Sequence, residues 1–231
     1  MKFGVLSTAL FLCAVGFAEP SNDALRDVLA RMDQAAVSFK GMTAKATIVE
    51  HTNVIDENTT ESANMTIKKT GPDQAELLLD FTDPPESRRS VIIAGRKLQI
   101  YFPKINTVQV YDLGKGGEQI DRFIMLGFGT SGTELAKSFN VTVTGTEALK
   151  GSPSIKLALI PTSDEAKKYI TKIEMWVPDH GAPYPLQEKI YEPSSDYKLT
   201  SYSDVKINPE LKPDALKLKL PKGVKTEYPQ R

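Results

Sequence analysis

Sulfur chemistry is almost missing from this chain: among 231 residues there is one cysteine, Cys13, and it falls in an N-terminal stretch that reads as a leader. A disulfide framework and a cysteine-rich metal site are thereby excluded, and burial alone must hold the fold. Histidine is nearly as scarce. His51 and His180 are the only two, far apart and without a neighbouring ligand pattern, so they are expected as exposed loop residues rather than metal or acid–base centres. A charge imbalance is missing too, since 29 Lys plus Arg balance 29 Asp plus Glu. With the lysines scattered, no field gathers nucleic acid. There is no G-x-S-x-G motif, and the carboxylates are spread evenly. No nucleophile, metal or cofactor is expected, and the chain does not read as an enzyme.

Beyond residue 18 no apolar run approaches membrane-spanning length. The first 18 residues carry a short basic start at Lys2, an apolar core over Phe3–Phe17 and the small-x-small triplet Gly16-Phe17-Ala18 before Glu19-Pro20. That is the pattern of a signal peptide cleaved near Ala18. Leu12 stands where a lipoprotein signal wants a small residue, so acylation of Cys13 is disfavoured. Residues 1–18 are read as leader and 19–231 as a single domain.

What the chain does have is amphipathic pattern. Asn22–Phe39 places Leu25, Val28, Leu29, Met32, Ala35, Ala36 and Phe39 on one helical face, with Arg26, Asp27, Arg31, Asp33 and Gln34 on the other. Ser21 or Asn22 caps its start and Gly41 ends it. Strand alternation comes next at 43–51, 63–68, 76–81, 89–94, 97–102 and 107–111, each bounded by turn residues such as Gly71-Pro72-Asp73 and Gly95. It resumes at 141–144, 155–160, 169–177, 186–192, 198–207 and 216–220. One apolar and one polar face per strand is the habit of an antiparallel sheet. Between the two series, Gly114–Ser138 breaks the rhythm with the apolar run Ile120–Phe128 and a short helical piece at 134–139.

Gly127-Phe128-Gly129-Thr130-Ser131-Gly132 matches G-x-G-x-x-G. Too few residues separate it from the next strand for a parallel crossover, so it is read as loop glycines in a flexible cover and not as a dinucleotide site. The three N-x-S/T sequons at Asn58, Asn64 and Asn140 are read as chance. The remaining feature is apolar surface. Met65, Ile67, Leu77, Leu79, Phe81, Leu98, Ile100, Phe102, Phe123, Met125, Leu126 and Met175 are the candidate lining of an acyl-binding concavity. Leu25, Leu29, Met32 and Phe39 are its candidate lid. Periodicity leaves a filled core and a lined cavity both open.

The C-terminal third adds a resemblance. Ile155–Pro161, Ile173-Glu174-Met175-Trp176-Val177 with Asp179 and Gly181, Pro185-Leu186-Gln187, Tyr202–Pro209 and Leu218–Val224 resemble, in order and spacing, the outer-membrane lipoprotein carrier (LolA-like) family. The opening helix and the Lys97–Pro103 strand before a Pro-Lys turn fit the same pattern, whereas Gly71-Pro72 stands where the family commonly carries Arg-Pro. The resemblance implies a mainly β, α+β fold: an incomplete, strongly curved antiparallel β-barrel whose N-terminal helix and short helical insertion cover the concave face. It further implies a monomeric periplasmic carrier that shuttles acylated lipoproteins from the inner to the outer membrane. Its partners would be an inner-membrane ABC-type or other exporter complex and an outer-membrane acceptor. A carrier of free lipid serving an exporter, or an anchored acceptor of the same fold, are the alternatives.

Overall fold

The structure, a computed structural model, describes residues 22–114 and 117–230. The leader, with Cys13 and the Ala18 junction, lies outside the described residues. The opening amphipathic run forms α1 (Asn22–Ser38). Six strands come after it as hairpins: β1 (Gly41–Thr52), β2 (Glu57–Gly71), β3 (Gln74–Asp83), β4 (Arg89–Ala94), β5 (Lys97–Phe102) and β6 (Thr107–Asp112). The insertion forms α2 (Gly117–Ile124) and α3 (Gly132–Ser138). A second meander then runs through β7 (Phe139–Leu149), β8 (Ser152–Pro161), β9 (Lys172–Pro178), β10 (Gln187–Tyr191) and β11 (Tyr197–Ile207), with the short α4 (Asp164–Lys167) between β8 and β9. The last strand is β12 (Lys225–Glu227).

All twelve strands make one curved sheet in the order β12-β6-β5-β4-β3-β2-β1-β11-β10-β9-β8-β7. β11 pairs antiparallel with β1 and so joins the two meanders, while β12 pairs parallel with β6. The sheet does not close: β12 and β7 are its edges. This is the incomplete antiparallel barrel that the family resemblance implies.

Pairing register brings most of the large apolar residues to one face, while Leu78, Ile92 and Val108 bury on the other. One row runs Met42, Ile67, Leu77, Ile93, Leu98 and the next runs Ala44, Met65, Leu79, Val91, Ile100 across β1 to β5. On the other half, Leu157 opposes Met175 and Leu159 opposes Ile173. The helices lie on this face. Val28 and Met32 of α1 and Leu135 of α3 bury against Leu157, Leu159, Ile173 and Met175, while Ile124, Met125 and Phe128 bury with Phe39 against Met42, Ile67 and Leu77. Each fully buried side chain of this size is worth roughly 1.5–3 kcal/mol, so the covers are stabilised by burial, as a chain without disulfides requires.

Polar ties fix the helices. Arg31 donates to the carbonyls of Pro178 and Gly181, both at 3.1 Å. Asp33 accepts from the Thr133 amide at 2.9 Å, which anchors the first turn of α3 to α1. Asn208, at φ 52°, accepts from the Lys40 amide at 2.7 Å and donates to the Ser38 carbonyl at 2.8 Å. Asn tolerates this left-handed conformation, and its amide satisfies groups that a helix end leaves open.

Two expectations need correction. Leu216–Leu220 alternates like a strand but lies between Pro213 and Pro221, with the Lys217 amide turned back onto the Asp214 carbonyl. The final strand forms further on, at β12. The 169–177 strand begins only at Lys172, because Ser163 caps α4 by accepting from the Ala166 amide.

Gly132 sits so close to α1 that a Cβ on it would lie 2.2 Å from the Leu29 carbonyl oxygen, whereas a Cβ on Gly145 meets nothing within 4 Å. Gly132→Ala is therefore expected to cost about 1–3 kcal/mol in urea unfolding. Gly145→Ala is expected to stay within about 0.5 kcal/mol of wild type.

Candidate functional site

The helical side of the sheet is covered unevenly. Across β1 to β3 and β8 to β9 it is sealed: Ile67, Met175, Leu157 and Leu159 have no exposure. Phe81, Val91, Leu98, Ile100 and Phe102 share the same face but are only half-buried, and none belongs to either core cluster. They form an apolar shelf over β3 to β5. Its rim is polar. Arg89 pairs bidentately with Glu61 at 2.6 and 2.8 Å, and its guanidinium lies 3.6 Å over the Phe81 ring. Hydrogen bonding to Arg89 holds the Glu61 carboxyl below its usual range. On the far side, Tyr111 donates to Gln109 at 3.0 Å, and Gln109 reaches Glu227 of β12 at 3.4 Å. Apolar floor with polar rim is the composition of a binding surface for an apolar ligand.

The candidate lining residues therefore divide. Phe81, Leu98, Ile100 and Phe102 form the shelf; Met65 and Leu79 flank it, half-buried against the second cluster; Ile67, Leu77 and Met175 lie beneath the covers. Met125 and Leu126 belong to the cover itself, with 3% and 6% exposure. Phe123 is 42% exposed, because the α2 periodicity that turns Ile120 and Ile124 to the sheet turns Phe123 away. Of the lid residues, Leu25, Leu29 and Met32 pack on the β8–β9 half, and Phe39 on the β1–β3 half.

Of the cover, α2 is the helix that contacts β3, and the turn Met125–Thr130 that follows it lies over β9 to β11. The turn folds tightly because the Met125 carbonyl accepts from the Gly129 and Thr130 amides at 2.8 and 3.0 Å and from the Thr130 hydroxyl at 3.0 Å. Phe128 wedges between two tyrosines, stacked on Tyr184 at 6.1 Å and edge-on to Tyr202 at 5.1 Å. The glycines of the G-x-G-x-x-G match are packing positions. A Cβ on Gly127, whose φ is +76°, would meet Glu188 Oε1 and Pro185 Cγ at 2.8 Å; one on Gly129 would meet the Phe39 ring at 2.8 Å. Gly127 and Gly129 are indeed loop glycines, lying in the turn, and Gly132 opens α3; all three are buried in close contacts.

Sequence reasoning missed Glu188. It pairs across the sheet with Met175 and Thr200, faces the helices and is 6% exposed. Its Oε2 accepts from the Tyr202 hydroxyl at 2.7 Å, and its Oε1 has no partner among the described residues. A buried acceptor left so costs about 1–3 kcal/mol. Burial pushes the carboxyl up to about 7, with the Tyr202 hydrogen bond acting in the opposite direction, and burial beside Glu188 also raises the Tyr202 phenol. The signal was available: Leu186, Glu188 and Ile190 share one strand parity, so an inward reading of the two aliphatics carries the carboxylate inward. Among the described residues, no three His, Cys, Asp or Glu side chains group as a metal site, and no helix is long and apolar enough to cross a membrane.

No protein-family model matches the sequence, and neither does any curated protein. The fold is similar to solved structures. It aligns with the lipoprotein LppX of Mycobacterium tuberculosis at 15% identity and TM-score 0.52, over 83% of this chain and 99% of that one. An uncharacterised conserved protein of Thermus thermophilus aligns at 12% identity and TM-score 0.51, over 88% and 98%. An outer-membrane lipoprotein-sorting protein domain of Vibrio parahaemolyticus aligns at 13% identity and TM-score 0.44, over 84% and 95%. What this chain shares with LppX and the Thermus protein is the fold, an open curved antiparallel sheet covered by helices.

Unfolded, a glutamate titrates near 4.5; folded, Glu188 does so at about 7. The native chain keeps a proton that the unfolded chain has lost, so this group's contribution is intact below pH 4.5 and is lost as pH rises through 7. Urea unfolding is expected to show a loss of about 3 kcal/mol between pH 4.5 and 8 in wild type, and Glu188→Gln is expected to remove that slope.

Proposed function

We propose that the protein is a periplasmic carrier that takes acyl chains onto the concave face of its half-barrel and moves acylated lipoproteins from the inner to the outer membrane. The observation that carries this reading is the half-buried apolar shelf of Phe81, Val91, Leu98, Ile100 and Phe102, continuous with a face whose other parts are sealed by helices. A sheet face with a purely structural role has no reason to carry its apolar rows on past the core to Leu98 and Ile100. The signal-peptide pattern supports export, and the fold shared with a protein described as a lipoprotein supports a place in the cell envelope.

The energetics set how such a carrier works. Each CH₂ buried is worth roughly 0.8 kcal/mol, so acyl chains do not leave into water on a useful timescale. Cargo passes from one apolar site directly into the next while the carrier is docked. The moving part is the segment that overlies the face through Phe128 and Met125 rather than helix α1, which Arg31 and Asn208 tie to the loop after β9 and the end of β11. Methionines at 42, 65, 125 and 175 along the covered face suit a lining that repacks around chains of different shape. Docking is to an inner-membrane exporter complex at loading and to an outer-membrane acceptor at release.

Native mass spectrometry of the protein recovered from the periplasm of a Gram-negative host, with the bound material fragmented, tests the reading. An acylated N-terminal cysteine peptide is the expected result. A bare lipid would move the function to lipid transport for an exporter, and protein that is empty and binds no acyl probe would overturn acyl binding altogether. Ile100→Asp and Leu98→Asp, which put a charge on the shelf, are expected to weaken binding of a fluorescent fatty acid at least tenfold in protein that keeps the wild-type far-UV circular dichroism, since neither position belongs to a core cluster.

A further inference from the structure

We infer that Glu188, held by Tyr202, is the polar anchor of the acyl site and selects cargo whose head group carries a hydrogen-bond donor, a hydroxyl or an amide N–H, beside its acyl chain. The inference rests on the acyl-carrier reading and goes beyond it by naming the chemistry of the cargo's head.

Three observations converge. Glu188 is the one carboxylate among the described sheet residues that is more than nine-tenths buried, and it stands on the acyl face where the two apolar clusters meet, opposite Met175 and one strand from Tyr202. Its two oxygens differ: Oε2 takes the Tyr202 hydroxyl at 2.7 Å, which fixes the carboxyl plane, and Oε1 is left without a partner among the described residues. That free oxygen is aimed at the cover. It lies so near Gly127 that a Cβ there would come within 2.8 Å of it, and this glycine turn occupies the space without satisfying it. A group placed for structure alone would be paired on both oxygens or replaced by an aliphatic of the same size. An acceptor fixed on one side and unfilled on the other, under the segment that must move for cargo to enter, is arranged for a donor that arrives with the cargo.

The test uses three probes of equal chain length: oleamide, oleyl alcohol and methyl oleate, displacing a fluorescent fatty acid from the whole mature protein. The first two carry donors, as an N-acylated peptide and a hydroxylated lipid do, and the third carries none. Wild type is expected to bind oleamide or oleyl alcohol about tenfold tighter than methyl oleate, and which of the two is preferred distinguishes the sources. Glu188→Leu is expected to bring the ratio to about one. Glu188→Gln, which keeps an acceptor oxygen, is expected to preserve most of the preference. Equal binding of all three probes by wild type would overturn the inference without reference to any variant, as would a preference that survives Glu188→Leu. Failure to bind any of the three probes would instead count against the acyl-carrier reading on which the inference rests.

Discussion

The apolar face on which the helices lie must be covered, and here the sheet is much wider than its cover. Twelve strands at about 4.8 Å spacing span roughly 53 Å before curvature, whereas α1, at 17 residues, is about 26 Å long. Curling brings the two halves towards each other, and the insertion between β6 and β7 adds α2, the Met125–Thr130 turn and α3. The sum seals β1 to β3 and β8 to β9 but not the shelf over β3 to β5. The open part of the face is a consequence of this mismatch in width, and the position of the helices decides where it falls.

Close backbone approach is what lets so little chain cover so much. Gly132 rides on the Leu29 carbonyl, Gly129 on the Phe39 ring and Gly127 on Glu188 and Pro185. Side chains at these points would lift the turn off the sheet and strand Phe128 outside its tyrosine pair. The ties around this packing act at different places. Asn208 joins the C-terminal end of α1 to the end of β11, and Arg31 joins the helix to the loop after β9. The long helix is thus restrained at its C-terminal end and in its middle, and Asp33 carries that restraint on to α3.

Most of this architecture was legible because alternation and helical spacing report which side of an element is apolar. The stripe Leu25, Val28, Leu29, Met32 and the rows through Met65, Ile67, Leu77 and Leu98 needed no knowledge of the fold to be found. What was not legible depended on packing between distant segments. The role of Gly127 to Gly132 is set by what lies beneath each glycine, which local sequence does not encode. Phe123 counts as apolar in composition, yet one step of helical phase places it outward. Glu188 was passed over because an acidic residue in a strand is ordinarily read as solvent-facing, although its neighbours at 186 and 190 fix its direction. Leu216–Leu220 shows the reverse error: alternation without a partner strand is only a pattern.

The two ends of the open sheet are finished differently. At one, β12 lays three residues parallel along β6. At the other, β7 runs eleven residues with no strand beyond it among the described residues, and its pairing with β8 slips between Val143 and Gly145. An unpaired edge of that length is a template for another strand, and an irregularity in its middle is one of the devices by which natural sheets spoil the template. The slip at Gly145 breaks that row of amides and carbonyls in two, so the edge offers an arriving strand two short stretches in place of one long one.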